Sequence, residues 1–298
     1  MDFLPLMLRV GAVIAPVILV AMGGFVWAKF DKQFSSQKLG DIALYVGTPG
    51  LLFSTLLETD IDNALLGVCA LGAALYIAIT LAVLLGLSRM TNTPINPNAT
   101  GLTFNNWGNL GMPICLFAFG QTGLTVAATF FAVSIFVQFT LGWRISAGSW
   151  PIKSIVGQPL LWALAAALGL KSAHIMPPQW LLDTTRLVGG AGIPCMLLAL
   201  GGGIAHMRPA SLGKGFALTA ARAALGLAVG FVLVTVLPFP QPLQPIVLTI
   251  SVMPVAVFNY ILAEKTGQDA AQVAGYVVAS TALSLLILPA ALALLMPT

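Results

Sequence analysis

The sequence predicts an all-α polytopic membrane protein whose ten transmembrane helices form two inverted five-helix repeats. Three observations carry that prediction. Of the 298 residues, 58% are hydrophobic and 7% charged. A soluble domain carries ~25% charged residues, so there is too little charge here to cover an aqueous surface. The apolar stretches are long and follow one another with short connections, and about 20 apolar residues cross a bilayer. Finally, two Met-Pro dipeptides, Met112-Pro113 and Met253-Pro254, interrupt hydrophobic segments at corresponding places in the two halves.

The spans are expected at 6–28, 40–57, 64–88, 101–120, 123–143, 158–174, 182–206, 214–237, 244–264 and 271–296. The first follows Met1-Asp2 with only Arg9 near its start, and without a basic leader or a small-residue cleavage site it reads as a retained span. The second carries Thr48-Pro49-Gly50-Leu51-Leu52, echoed in the seventh by Ile193-Pro194-Cys195-Met196-Leu197. The fourth carries Asn105, Asn106 and Asn109 ahead of Pro113, and the ninth carries Ser251, Pro254, Phe258 and Asn259. The polar stretch 144–157 is the joint between halves, giving a first repeat over 1–148 and a second over 149–298. An odd number of spans in each half makes the second half enter the membrane upside down.

Loop cations set the orientation. With the N-terminus outside, the inner loops hold Lys29, Lys32, Lys38, Arg89, Arg144, Lys153, Arg208, Lys214 and Lys265, while the outer loops hold Lys171, Arg186 and the acidic run Glu58, Asp60 and Asp62. Both termini are therefore expected on the extracytoplasmic side. The net charge of +4 comes from cations scattered at span ends, not from a nucleic-acid-binding patch. Cys69, Cys115 and Cys195 lie in apolar segments without metal-ligand spacing and read as small buried hydrophobes.

The two interruptions have a physical consequence. Proline lacks an amide hydrogen and its ring clashes with the preceding turn, so each segment is expected to break there. Irregular backbone in hydrocarbon persists only when buried in protein or lining a wet cavity. A half-helix that starts at such a break presents free amides and roughly half a positive charge, and paired breaks in corresponding segments point to a transporter binding site. Asn105, Asn106, Asn109, Ser251 and Asn259 add neutral donors around them. An anion, commonly a carboxylate, is the expected guest. The competing account is that these side chains only satisfy carbonyls released by the kinks.

Arg222, within the eighth span, is read in two ways. An intramembrane charge is a functional hypothesis by default, and a long side chain can also snorkel to the interface. Gly226 and Gly230 form a GxxxG, which among 30 glycines is read as a chance match. No nucleophile elbow, HExxH, Asp-rich pair or phosphate-cradling loop appears, so neither catalysis, a cofactor nor a metal is expected.

The stretch Asn106-Trp107-Gly108-Asn109-Leu110-Gly111-Met112-Pro113 resembles the first crossover motif of the auxin efflux carrier family, which includes plant PIN-formed carriers and bacterial organic-acid transporters. Pro254 through Ala263-Glu264-Lys265 is similar to the second crossover, and Pro49–Ser54 and Met196–Ala205 resemble the second and seventh spans. The resemblance covers essentially the whole chain. It implies that helices four and nine cross at their proline breaks. It also implies a scaffold of helices 1, 2, 6 and 7, a transport unit of helices 3–5 and 8–10, elevator-like motion and a homodimer. By position, Asn106 corresponds to the asparagine that contacts the substrate carboxylate, and Pro113 and Pro254 mark the crossover. The short central loop follows the bacterial pattern and places the chain in a bacterial inner membrane. Trp107 and Asn109 stand where the family often has smaller or apolar residues, so indole-acid transport does not follow.

The expected function is secondary transport of a small organic anion, with Phe258 against its body. Two alternatives remain within transport: a sodium-coupled symporter of the bile-acid type, and an anion channel.

Overall fold

The computed structural model describes residues 3–93, 95–150 and 156–296. Met1 and Asp2, and Lys153, which was expected in an inner loop, lie outside the described residues. Those described are helical throughout apart from short connections, and no strand is present among them.

The elements are α1 (Phe3–Phe30), α2 (Ser36–Glu58), α3 (Asn63–Met90), α4 (Ile95–Thr103), α5 (Trp107–Ala147), α6 (Pro159–Ser172), α7 (Gln179–His206), α8 (Leu212–Val236), α9 (Gln244–Ser251), α10 (Val257–Lys265) and α11 (Ala270–Leu295). Seven of them, α1, α2, α3, α5, α7, α8 and α11, are long and apolar enough to cross a membrane. Their starts are set by local chemistry. Asp62 accepts from the Leu65 amide at 2.7 Å to begin α3, and Asp269 accepts from the Gln272 amide at 2.9 Å to begin α11. Such side-chain caps satisfy one of the donors that every helix start leaves open.

The remaining predicted spans take other forms. The fourth begins as α4 and resumes within α5, which also contains the fifth. Between the two parts Gly120 adopts φ 66° and ψ −154°. A Cβ there would meet nothing within 4 Å, so glycine is required by the backbone conformation and not by crowding. The sixth is the 14-residue α6, and the ninth is divided into α9 and α10.

The first break does not fall at Pro113 but at residues 104–106, and Pro113 lies in the following helix. The residues before it, Trp107–Gly111, form a π-helical turn. That wider turn leaves room for a proline ring that an ordinary α turn would crowd, and the ring needs no amide partner so near a helix start. At Pro254 the expectation and the break coincide, because residues 252–256 are non-helical.

Two groups of helices pack internally. α1 runs along α7, and α2 packs on α6 and α7. Their seams are backbone-to-backbone: a Cβ on Gly189 would stand 2.6 Å from the Leu51 amide nitrogen, and one on Gly50 would stand 2.9 Å from the Thr185 carbonyl oxygen. Small residues allow this close approach where lipid offers no hydrophobic drive for association. In the second group α8 lies along α11 and against α3 and α9, α3 touches α4 and α5, and α10 packs on α11.

Candidate functional site

The two interruptions meet. Asn105 and Val255 pair in a short antiparallel bridge. The Asn106 amide donates to the Pro254 carbonyl at 2.7 Å, and the Ala256 amide donates to the Phe104 carbonyl at 3.0 Å. Pro254 has no amide to give, so its carbonyl alone takes part. The Val255 amide turns away to Ser280 Oγ at 3.0 Å. Four half-helix ends therefore converge on one buried crossing, the C-terminal ends of α4 and α9 and the N-terminal ends of α5 and α10.

The exposed carbonyls at the C-terminal ends have been exchanged between halves. Asn105, from the first break, reaches Ile250 O at 3.2 Å and Ser251 O at 3.3 Å through Nδ2, and so closes α9. Trp107 Nε1 adds a bond to Ile250 O at 2.9 Å, and the Tyr76 hydroxyl donates to Ser251 O at 2.6 Å. Reciprocally Asn259, from the second break, donates through Nδ2 to Gly101 O at 3.0 Å and Phe104 O at 3.1 Å, and so closes α4. Gln138 Nε2 fixes that amide by donating to Asn259 Oδ1. Uncapped carbonyls in a dry interior are costly, and this arrangement leaves each break dependent on the opposite half.

Arg222 completes the closure of α4. It is 4% exposed, so it does not snorkel, and the sequence left that choice open. Its Nε donates to Leu102 O at 2.7 Å, Nη2 to Thr103 O at 3.2 Å and to Asn105 Oδ1, and Nη1 to Tyr76 Oη at 3.1 Å. The guanidinium also stands over the Tyr76 ring at 5.7 Å. A cation is favoured at a helix C-terminus, and all four partners are neutral. α8 reaches this position through Gly226 and Gly230. A Cβ on the first would stand 2.5 Å from Tyr76 Oη, and one on the second 2.5 Å from Ser251 Oγ. The GxxxG read as chance is thus the surface by which α8 meets the crossing.

The N-terminal ends differ. Asn106 caps α5 by accepting the Asn109 amide on Oδ1 at 3.1 Å. Its Nδ2 is buried without a hydrogen-bond partner. α10 starts at Val257 after Ala256, with no side-chain cap. The Gly203 position on α7 lies beside Val257, 3.5 Å from its Cγ1 to an added Cβ, and the Trp107–Gly111 turn also packs against α7.

Of the residues singled out in the sequence, Asn105, Asn106, Pro113, Ser251, Pro254 and Asn259 are buried, and all but Pro113 belong to the breaks or their capping bonds. The Ser251 hydroxyl returns to its own helix, donating to Val247 O at 2.7 Å, so its carbonyl and not its hydroxyl joins the crossing. Phe258 is half-buried and packs on Phe139 with ring centroids 5.0 Å apart. Asn109 is half-buried on the first turn of α5. Tyr76, Gln138 and Ser280 were missed, being ordinary polar residues in separate spans whose convergence no local pattern records. Trp107 is fully buried between Tyr76 and Phe130, with centroids at 5.4 and 5.1 Å, and acts as a wedge holding the crossing. A Tyr76→Phe variant should keep the ring packing but leave Ser251 O, Arg222 and Asn105 Nδ2 each short of one bond. Its melting temperature in detergent should fall measurably, by the equivalent of about 1–3 kcal/mol; an unchanged melt would mean water replaces the hydroxyl.

A membrane-embedded crossing of this kind, with polar groups held at depth by several helices, is the construction of a membrane transporter. A family model described as membrane transport protein matches residues 144–292, half of the chain, and the chain belongs to that family. The matched part includes Pro254, Asn259 and Arg222, whereas the asparagine-rich first break lies outside it. No curated protein matches the chain.

Proposed function

We propose that the protein is a secondary carrier for a small organic anion, a carboxylate, bound at the helix crossing. The observation that carries this reading is Asn106. Its oxygen caps α5, while its amide nitrogen is buried and unpaired at the positive end of that half-helix. A buried unpaired donor is unfavourable, and one beside a helix N-terminus is suited to a carboxylate oxygen. The uncapped start of α10 supplies a second such end across the pseudo-symmetric crossing.

In this reading the chain crosses the membrane ten times as two inverted five-helix repeats, with α4 plus the first part of α5 as one broken helix and α9 plus α10 as the other. The internal packing of α1, α2, α6 and α7 supports a scaffold, and that of the remaining helices supports a transport unit. Alternating access is then an elevator displacement of the second group along α7, where Gly203 faces Val257 without a side chain to obstruct it. The carrier works as a homodimer in a bacterial inner membrane.

The test is counterflow of labelled carboxylates in proteoliposomes. Asn106→Ala should lower exchange roughly tenfold or more, since a hydrogen bond to a charged group contributes about 1.5–3 kcal/mol. Wild-type kinetics in a variant that melts normally would remove Asn106 from the binding site.

A further inference from the structure

The charge balance of the crossing extends this reading, on which the following rests. Two broken helices bring two N-terminal and two C-terminal ends to one place. Their half charges oppose one another and cancel in pairs, so the net charge is set by side chains. Arg222 is the one charged side chain among the buried described residues. Every Asp and Glu among the described residues is exposed or half-buried, on loops and helix ends. The groups that touch Arg222 come from α3, α4 and the first break, and each is neutral: the Tyr76 hydroxyl, the Leu102 and Thr103 carbonyls and the Asn105 amide oxygen. A guanidinium holds its charge permanently, and carrying an unmatched charge through a low-dielectric layer is costly.

We infer that Arg222 makes this carrier an anion exchanger for monocarboxylates: the empty crossing bears one unmatched positive charge, and a bound monoanion cancels it. The loaded unit then moves as a neutral body in either direction. The empty unit moves with its charge exposed to the membrane field and returns slowly. A second negative charge on the ligand would overshoot the balance, so dianions are carried less well. Every guanidinium nitrogen of Arg222 already donates to a group of the crossing itself. Arg222 acts through the net charge of the moving unit and through Asn105, and is a positioning residue.

The inference is tested with the purified full chain in proteoliposomes, using labelled lactate, benzoate and succinate. Exchange against the same unlabelled acid inside is compared with net efflux into buffer, each at zero and at inside-negative potential set with potassium and valinomycin. The expected wild-type result is exchange several-fold faster than net efflux for a monocarboxylate, exchange indifferent to potential, and net efflux accelerated when the interior is negative. Arg222→Gln should invert this pattern. The ratio of exchange to net efflux should fall toward one, and exchange should become sensitive to potential. Arg222→Lys keeps the charge and should keep the ratio even if its rate falls.

A purely structural arginine would alter rates and melting temperature without moving the ratio or the potential dependence. Equal exchange and net efflux in the wild type would overturn the inference even if Arg222→Gln does not fold. So would an unchanged ratio in a folded Arg222→Gln. Both results leave the carboxylate site standing. If none of the three acids is transported or exchanged, the carboxylate reading fails first and the inference with it.

Discussion

Replacing Asn105 with leucine is expected to unfold the crossing. The side chains are similar in size, so the change removes bonding capacity and not volume. Four groups lose a partner at once: Arg222, which donates to Asn105 Oδ1, and the Tyr76 hydroxyl and the carbonyls of Ile250 and Ser251, which accept from Nδ2. Each buried group left unpaired costs about 1–3 kcal/mol, and more when it is charged, so the total is on the order of 5 kcal/mol. Trp107 and Tyr76 still bond those two carbonyls and limit the loss. A reduction of the melting temperature in detergent by about 10 °C or more follows, since 1 kcal/mol moves a chain of this size by roughly 2–4 °C. Asn105→Asp would add a negative charge beside Arg222, and should melt well above the leucine variant. If leucine proves harmless, the hydrogen-bonded account of the crossing is wrong.

Gly201→Val is expected to be as damaging, at the other side of the molecule. A Cβ on Gly201 would overlap the carbonyl oxygen of Ala21 and stand 2.8 Å from the Phe25 amide nitrogen, so the obstacle is the backbone of α1 and not a side chain that can rotate away. Overpacking a core costs about 1–3 kcal/mol when side chains can adjust; here α1 and α7 must separate along their length. The expected outcome is loss of monodisperse protein on size-exclusion chromatography, or a melt lowered by more than that range. Gly169 provides the contrast. It lies in α6 with nothing within 4 Å of an added Cβ, so Gly169→Ala should stabilise the helix by about 0.5–1 kcal/mol. Equal behaviour of the two variants would show that the α1–α7 seam is not close-packed.

The sequence disclosed the parts of this fold that depend on composition and local chemistry. Too few charges to coat a soluble domain required a membrane, and runs of apolar residues located the long helices. Pro254 marked its break because it falls within the non-helical residues 252–256. Pro113 misled by seven residues from Asn106, since the π-helical turn of Trp107–Gly111 absorbs the ring and the chain leaves the helix earlier, among residues 104–106. That turn depends on the Trp107 indole locking onto Ile250 O from another helix, which no window of neighbouring residues contains. The asparagines were recognised as a group, but their roles separated only in space. Asn105 and Asn259 cap the opposing half, and of the three buried asparagines only Asn106 has an amide left over. Arg222 was visible as an anomaly and not as a member of the site. Its partners on α3 and α4 are more than a hundred positions away in the chain. The GxxxG of α8 likewise took its meaning from what it faces.

The exchange of caps between the two breaks bears on how the chain is made. When α4 is first synthesised, the groups that will close its final carbonyls do not yet exist. Arg222 follows Leu102 by 120 positions, and Asn259 follows Gly101 by 158. At about 5–20 residues per second, an elongating chain leaves an interval on the order of ten seconds or more. During it the first half cannot rest in hydrocarbon in its final form. Its fourth helix must wait at a wet boundary, inside the insertion machinery or unbroken in a provisional shape, and assembly of the crossing is then a late event that commits both halves together.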